Sequence, residues 1–274
     1  MIKILLFVII SSNFSYSQNF HTPENRKLFA DYLFCSKDYL RAVLEYEEYI
    51  KHFDNDTVLF KIALGYSKIE NYNEAVKRFI NISVQSDYYS SARLEYLKSK
   101  LFLEDYNSII DFSRNNLRNN ELKLISMSIL LSDKNLPERN NFIFAFEDNL
   151  RTQIEDFFDH KINPPYKSPL LAGIFSTVVP GSGKLYTNQI SEGLTSLVLN
   201  GLVAFLSYNN FKNDHTTRGW IFAGVGAFFY AGNIYGSAVS ANIYNQRVDY
   251  EYKENVKVFL EAHNYFIERY EFCK

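Results

Sequence analysis

The chain has 274 residues, 17% of them aromatic and 22% charged, with 21 Tyr and 24 Phe against 11 Gly and 6 Pro. That balance favours packed helices over a turn-rich β fold. A formal net charge of −2 and a pI near 6.2 give no electrostatic footing for nucleic acid, and no such partner is expected.

Met1–Ser17 carries Lys3, the apolar run Ile4–Ile10 and the small-x-small step Ser15-Tyr16-Ser17. This is the layout of a secretory signal peptide, predicted over residues 1–17. Export would leave the downstream chain facing the periplasm or the exterior. Cys35 falls within an apolar helical pattern and reads as a small buried hydrophobe. A disulfide to Cys273 would need the two ends of the chain to meet.

Residues 18–161 read as one helical domain. Asp38-Tyr39-Leu40-Arg41-Ala42, Asn71-Tyr72-Asn73-Glu74-Ala75 and Asp105-Tyr106-Asn107-Ser108-Ile109 recur at spacings of 33 and 34 residues. Each comes after one apolar-periodic helix and opens another, the mark of a helix-turn-helix solenoid. These residues resemble tetratricopeptide repeats. In that resemblance Ala63 and Tyr66 pack the first helix of the second copy, and Ala75 and Phe79 the second; Ala42 and Tyr46 do so in the first copy. The third copy departs, with Ile109 in place of Ala and Ser113 in place of an aromatic. Leu117–Lys161 is expected to add a last irregular helix pair.

Residues 162–169 hold Pro164, Pro165 and Pro169 and read as a stiff linker. Beyond it, Ser168–Gln246 contains five charged side chains, Lys184, Glu192, Lys212, Asp214 and Arg218. Gly193–Phe211 and Gly219–Gln246 are charge-free runs of 19 and 28 residues, each long enough to cross a bilayer as a helix. Ser168–Gly183 is only 16 residues and ends in Pro-Gly-Ser-Gly, so a re-entrant or interfacial helix and a tight turn are expected there; a third crossing would put the C-terminal end on the other side. Gly232 and Gly236 form a small-xxx-small step, and Asn200 and Asn233 are placed to bond across the hairpin. Lys184 comes directly after Gly-Ser-Gly, but Val178 and Leu185 break the phosphate-loop pattern, so no nucleotide is expected.

The set Pro169, Pro180-Gly181-x-Gly183-x-x-Tyr186, then Tyr230-x-Gly232-Asn233-Ile234-Tyr235-Gly236, is similar to a poorly characterised bacterial membrane module. That module occurs alone, behind tetratricopeptide repeats or in membrane protein insertion efficiency factors. The chain departs from it at Lys184, where a Gln is usual, and at Asn188, where a Gly is. The resemblance covers residues 170–246 and implies a small membrane protein without bringing an activity.

Residues 247–274 show apolar positions at helical spacing and are predicted to form a separate amphipathic helix that packs back on the arm or lies on the membrane. His21, His52, His160, His215 and His263 are scattered, and no nucleophile or cofactor motif is present, so neither an enzyme, a metal nor a cofactor is expected. Glu45, Glu47 and Glu48 read as a solvated helix face. The expected architecture is all-α: a tetratricopeptide-like solenoid, a transmembrane helical hairpin and a C-terminal amphipathic helix. The expected role is an inner-membrane scaffold, with the arm and C-terminal helix periplasmic, contacting lipid and an unidentified envelope protein. The alternative is a component of membrane-protein biogenesis or transport whose hairpin is the working part. A soluble exported repeat protein with an apolar helix pair in its core is a third possibility.

Overall fold

The computed structural model describes residues 21–112 and 117–273. The signal peptide expected at 1–17 lies outside these residues, as does Ser113. The described residues form thirteen α-helices and no strand, and divide into two units.

The first unit comprises the described parts of Met1–Lys134 and His263–Lys274. Its helices are α1 (Pro23–Cys35), α2 (Tyr39–Ile50), α3 (Asp56–Lys68), α4 (Tyr72–Phe79), α5 (Tyr89–Phe102), α6 (Tyr106–Ile110) and α7 (Asn119–Leu131). The recurring Asp/Asn-Tyr step builds the same turn three times. Lys37 (φ 64), Glu70 (φ 62) and Glu104 (φ 55) end α1, α3 and α5 in the left-handed conformation. The next residue, Asp38, Asn71 or Asp105, donates its N–H to a carbonyl five positions back at 2.9–3.0 Å. Its side chain then accepts from the third residue of the succeeding helix. Each turn therefore satisfies the end of one helix and the start of the next.

The faces behind those turns keep the same period. Ala30, Ala63 and Leu97 on the first helices are buried, as are Ala42, Ala75 and Ile109 on the second helices. Small residues let the first two pairs close tightly. The third pair has Leu97 and Ile109 at these positions, and its second helix lasts only five residues.

Residues 263–273 lie against this unit. Tyr265 meets Phe102 with ring centroids 5.1 Å apart, Tyr270 stands edge-on to Phe60 at 5.0 Å, and Phe272 meets Phe34 at 6.1 Å. Cys273 then forms a disulfide with Cys35, 238 residues away in sequence. The expectation for Cys35 is thereby corrected. The buried stripe of α1 is Ala30, Leu33 and Phe34, and Cys35, a further 100° round the helix, faces the surface.

The second unit is Asn135–Ala262. It holds α8 (Arg139–Ile143), α9 (Asp148–Ile162), α10 (Pro169–Val178), α11 (Ser182–Tyr186), α12 (Ile190–Lys212) and α13 (Thr216–Ala262). The sequence grouped α8 and α9 with the repeats; they belong here instead. His160 stacks on Tyr252 at 5.0 Å, Phe157 meets Phe259 at 5.6 Å, and the Tyr252 hydroxyl donates to the Phe157 carbonyl at 3.2 Å.

The separate C-terminal helix expected over 247–274 is also corrected. α13 runs unbroken for 47 residues to Ala262, and then Asn264, Tyr265 and Phe266, all at positive φ, turn the chain. Nothing at Gln246–Arg247 can stop a helix: the change there is from uncharged to charged side chains, which alters solvent preference and leaves the backbone ladder intact.

α12, at 23 residues, is the one described helix long and apolar enough to cross a membrane by length and composition. It packs antiparallel to the first half of α13: Phe211 meets Trp220 at 5.5 Å, and the Ser207 hydroxyl donates to the Gly219 carbonyl at 3.1 Å.

Candidate functional site

The bundle of α10–α13 has its polarity reversed. As far as Gln246, Ser176, Thr187, Ser196, Asn200, Asn233, Ser237 and Ser240 are buried between the helices, beside only Ala172, Val203 and Ala241 among the apolar side chains; past Gln246, α13 buries an ordinary apolar face of Val248, Tyr252, Val256, Phe259 and Leu260. The outer surface is apolar: Leu170, Val178, Val198 and Phe228 are 72%, 78%, 68% and 77% exposed. In water the hydrophobic effect dictates the opposite arrangement.

The polar interior holds the Pro180-Gly181-Ser182-Gly183 turn. Ser168 caps α10, its hydroxyl accepting from the Leu171 N–H at 3.3 Å, and Pro169 occupies the first turn, where its missing N–H costs nothing. Asn245 of α13 brackets the start of α10, accepting from the Lys167 N–H (2.8 Å) and donating to its carbonyl (3.0 Å). At the far end of α10 the Tyr230 hydroxyl donates to the Thr177 carbonyl at 2.5 Å. From Asn245 to Tyr230 is about 22 Å of helix at 1.5 Å per residue. The turn thus lies near the middle of the charge-free run Gly219–Gln246. α11 then carries the chain back, and the Ser240 hydroxyl donates to Gln189 Oε1 at 2.8 Å.

Asn233 and Ser176 satisfy the turn's backbone. The Gly181 N–H donates to Asn233 Oδ1 at 3.1 Å, and the Gly183 N–H to Ser176 Oγ at 3.0 Å. Ser176 Oγ lies 2.7 Å from Ser237 Oγ. Both glycines are required: Gly181 sits at φ 89, a Cβ there would fall on the Gly193 carbonyl, and a Cβ on Gly183 would fall on the Ala172 carbonyl. Tyr186 accepts from the Ser168 N–H at 3.3 Å and meets Phe175 edge-on.

The structure therefore gathers Pro169, Pro180, Gly181, Gly183, Tyr186 and Asn233 around one turn, with Gly236 beside the Lys184 side chain. It leaves out Gly232 and Tyr235, which face outward; a Cβ on Gly232 would meet nothing within 4 Å. No backbone contact forms at the small-xxx-small step. Asn200 does not bond to Asn233 either: its amide donates to the Ser196 carbonyl of its own helix at 2.8 Å. It lines a cavity of about 630 Å³ between α12 and α13, with Pro180, Ser207, Phe222 and Tyr230.

Sequence reasoning missed Ser176, Ser237 and the Lys184–Ser196 hydrogen bond of 3.1 Å. A signal was present. Asn233, Ser237 and Ser240, spaced four and three apart in a charge-free run, form a polar stripe on one face of a helix.

In the first unit Ala42, Tyr46, Ala63, Ala75 and Phe79 are buried and Tyr66 is half-buried. Asp31 accepts from Tyr46 (2.5 Å), Lys61 (2.6 Å) and Lys27 (3.0 Å). Burial pushes its carboxyl up, but these hydrogen bonds outweigh that and hold it below the usual value. Glu47 accepts from Arg78 at 2.7 Å and Tyr66 at 3.0 Å, Glu45 pairs with Arg26 at 3.0 Å, and Glu48 with Lys51 at 2.5 Å. Glu45 and Glu47, expected to be simply solvated, thus tie α2 to α1, α3 and α4, whereas Glu48 pairs only with the end of its own helix on an exposed face. Burial raises the Glu95 carboxyl, against opposing contributions from Lys98, Lys68 and Tyr270. Among the described residues no group of three His, Cys, Asp or Glu side chains could hold a metal.

Fold and site together define an all-helical protein with a candidate membrane-crossing helix and a polar-cored, apolar-coated helix bundle. Comparison with protein-family models, curated proteins and solved structures returns no match.

Proposed function

We propose that this protein is a membrane-anchored scaffold of a bacterial envelope, its helix pairs forming a tetratricopeptide-like arm for another protein and its α10–α13 bundle forming the anchor. The observation that carries the reading is the reversed polarity of the bundle, which lipid accounts for and water does not. In that setting α12 and the first half of α13 are a transmembrane hairpin. The 10-residue α10, about 15 Å long, is a re-entrant arm, too short for a core of about 30 Å. A re-entrant turn at mid-depth needs protein partners for its backbone, the role of Asn233 and Ser176.

The Cys35–Cys273 disulfide supports an oxidising compartment for the arm, which agrees with the signal peptide expected at 1–17 and with periplasmic placement at the inner membrane. A photo-crosslinking residue placed at Tyr32 or Leu44 on the arm, or at Val198 or Phe228 on the bundle, tests both halves in living cells. Discrete protein adducts from the arm and lipid adducts from the bundle are expected. An arm that captures no protein ends the scaffold reading, and a bundle that captures no lipid ends the anchor.

The alternative, a biogenesis or transport component, is favoured by the cavity above the turn and by Lys184, a cation inside the bundle bonded to Ser196. On that reading Asn233→Leu abolishes the phenotype and leaves capture by the arm unchanged.

A further inference from the structure

The segment after α13 runs across the first unit in a definite order. Phe266 lies under the ammonium of Lys123 on α7, 5.2 Å from its ring centre. Tyr265 meets Phe102 and Lys98 on α5. Tyr270 meets Phe60 on α3, with the Glu95 carboxylate of α5 near enough to help burial push its hydroxyl up. Phe272 lies under Lys61 of α3 at 5.0 Å and against Phe34 of α1, and Cys273 reaches Cys35 at the end of α1. Along the segment the contacts thus pass from α5 and α7, met by Tyr265 and Phe266, to α3 and then α1; α5, α3 and α1 are the first helices of the three pairs.

We propose that this face is a groove for an extended segment carrying aromatic residues at alternate positions, and that the chain's own residues 265–273 are its occupant, clamped by the disulfide. The chemistry of the groove matches that class of ligand. Phe34, Phe60 and Tyr88 form an aromatic wall, with Phe60 stacked on Tyr88 at 5.0 Å, and Phe272 packs into it. Lys61 and Lys98 supply cations over the incoming rings. Glu95, 2% exposed, has one carboxylate oxygen with no hydrogen bond, and its nearest charged partner is Lys98 at 3.8 Å. It is an acceptor with capacity left for a phenol. The inference deepens the scaffold reading: a partner that uses this groove carries a Tyr-x-Phe-like segment and must displace the tail.

The test uses the full chain in detergent and a fluorescent synthetic peptide spanning residues 264–273 with Cys273→Ser. The opened protein carries Cys35→Ser, Cys273→Ser, Tyr270→Ala and Phe272→Ala. A filled groove lowers apparent affinity by the fraction of open molecules, so the opened protein is expected to bind the peptide at least about tenfold tighter than wild type. A peptide with both aromatics replaced by Ala should not bind. An opened protein that keeps its helical circular dichroism and ignores the peptide overturns the proposal; so does one that loses its helices, because the tail would then be core. A second measurement, hydrogen exchange on the Cys35→Ser, Cys273→Ser protein with its aromatics intact, should show amides 267–273 exchanging faster than wild type while 58–64 stay protected. Joint loss of protection in both segments overturns it as well. Peptide binding without arm adducts in cells would retain the groove and remove the scaffold.

Discussion

Two asparagines on facing helices illustrate how much a single side chain's partner matters. Asn233 supplies the acceptor for the buried Gly181 N–H, whereas Asn200 bonds only within its own helix. Asn233→Leu leaves a buried donor unsatisfied and is expected to cost about 1–3 kcal/mol, seen as a lower melting temperature in detergent. Asn200→Leu, which orphans no backbone N–H of the turn, should cost less. Equal losses would show that Asn233 does not hold the turn. Glu95 makes a pH-dependent case. Its unfolded value is near 4.5, and burial raises the folded one. Its contribution to stability is therefore full below pH 4.5 and is lost as pH rises through the folded value. Glu95→Gln removes that titration while keeping the shape, so arm stability should fall less between pH 4.5 and 8 in the variant than in wild type. Parallel curves by hydrogen exchange would refute it.

At the scale of elements, the glycines of the bundle separate into two kinds. Gly181 and Gly183 let the turn touch the backbones of α12 and α10, so Gly181→Ala and Gly183→Ala must push whole helices apart. Losses of about 3 kcal/mol or more, or failure to accumulate in the membrane, are expected for each. Gly232→Ala, on an open face of α13, should be neutral or stabilising by up to about 1 kcal/mol. Thermal melts of the three purified variants decide; a damaging Gly232→Ala would mean that an unseen partner sits on that face. The sequence exposed the turn chemistry because a positive φ and an Asx cap leave residue-level traces: Asp38, Asn71 and Asp105 mark their helices unaided. It also exposed the Pro-Gly-x-Gly turn. It could not show that α13 passes Gln246 without a break, since charge is not a helix stop, nor that Tyr270 and Phe272 lie against α3 and α1. Those contacts join residues some 200 positions apart in sequence, and no local period encodes them.

For the whole molecule, the disulfide constrains topology. Cys35 and Cys273 belong to one folded unit, so any bilayer threaded by the chain between them is crossed an even number of times. On the anchor reading proposed above, α12 and the charge-free half of α13 would account for two crossings, with α10 too short to add a third. The same reading predicts that the Lys212–Arg218 connection lies opposite the arm. Asp54→Cys on the arm and Asn213→Cys in the connection, each in the otherwise intact chain, test this with a membrane-impermeant maleimide on spheroplasts. Asp54→Cys should label at once, and Asn213→Cys only after the membrane is permeabilised. Immediate labelling of both would place every described helix on one side, and the apolar coat of α10–α13 would then need a protein partner rather than lipid to cover it.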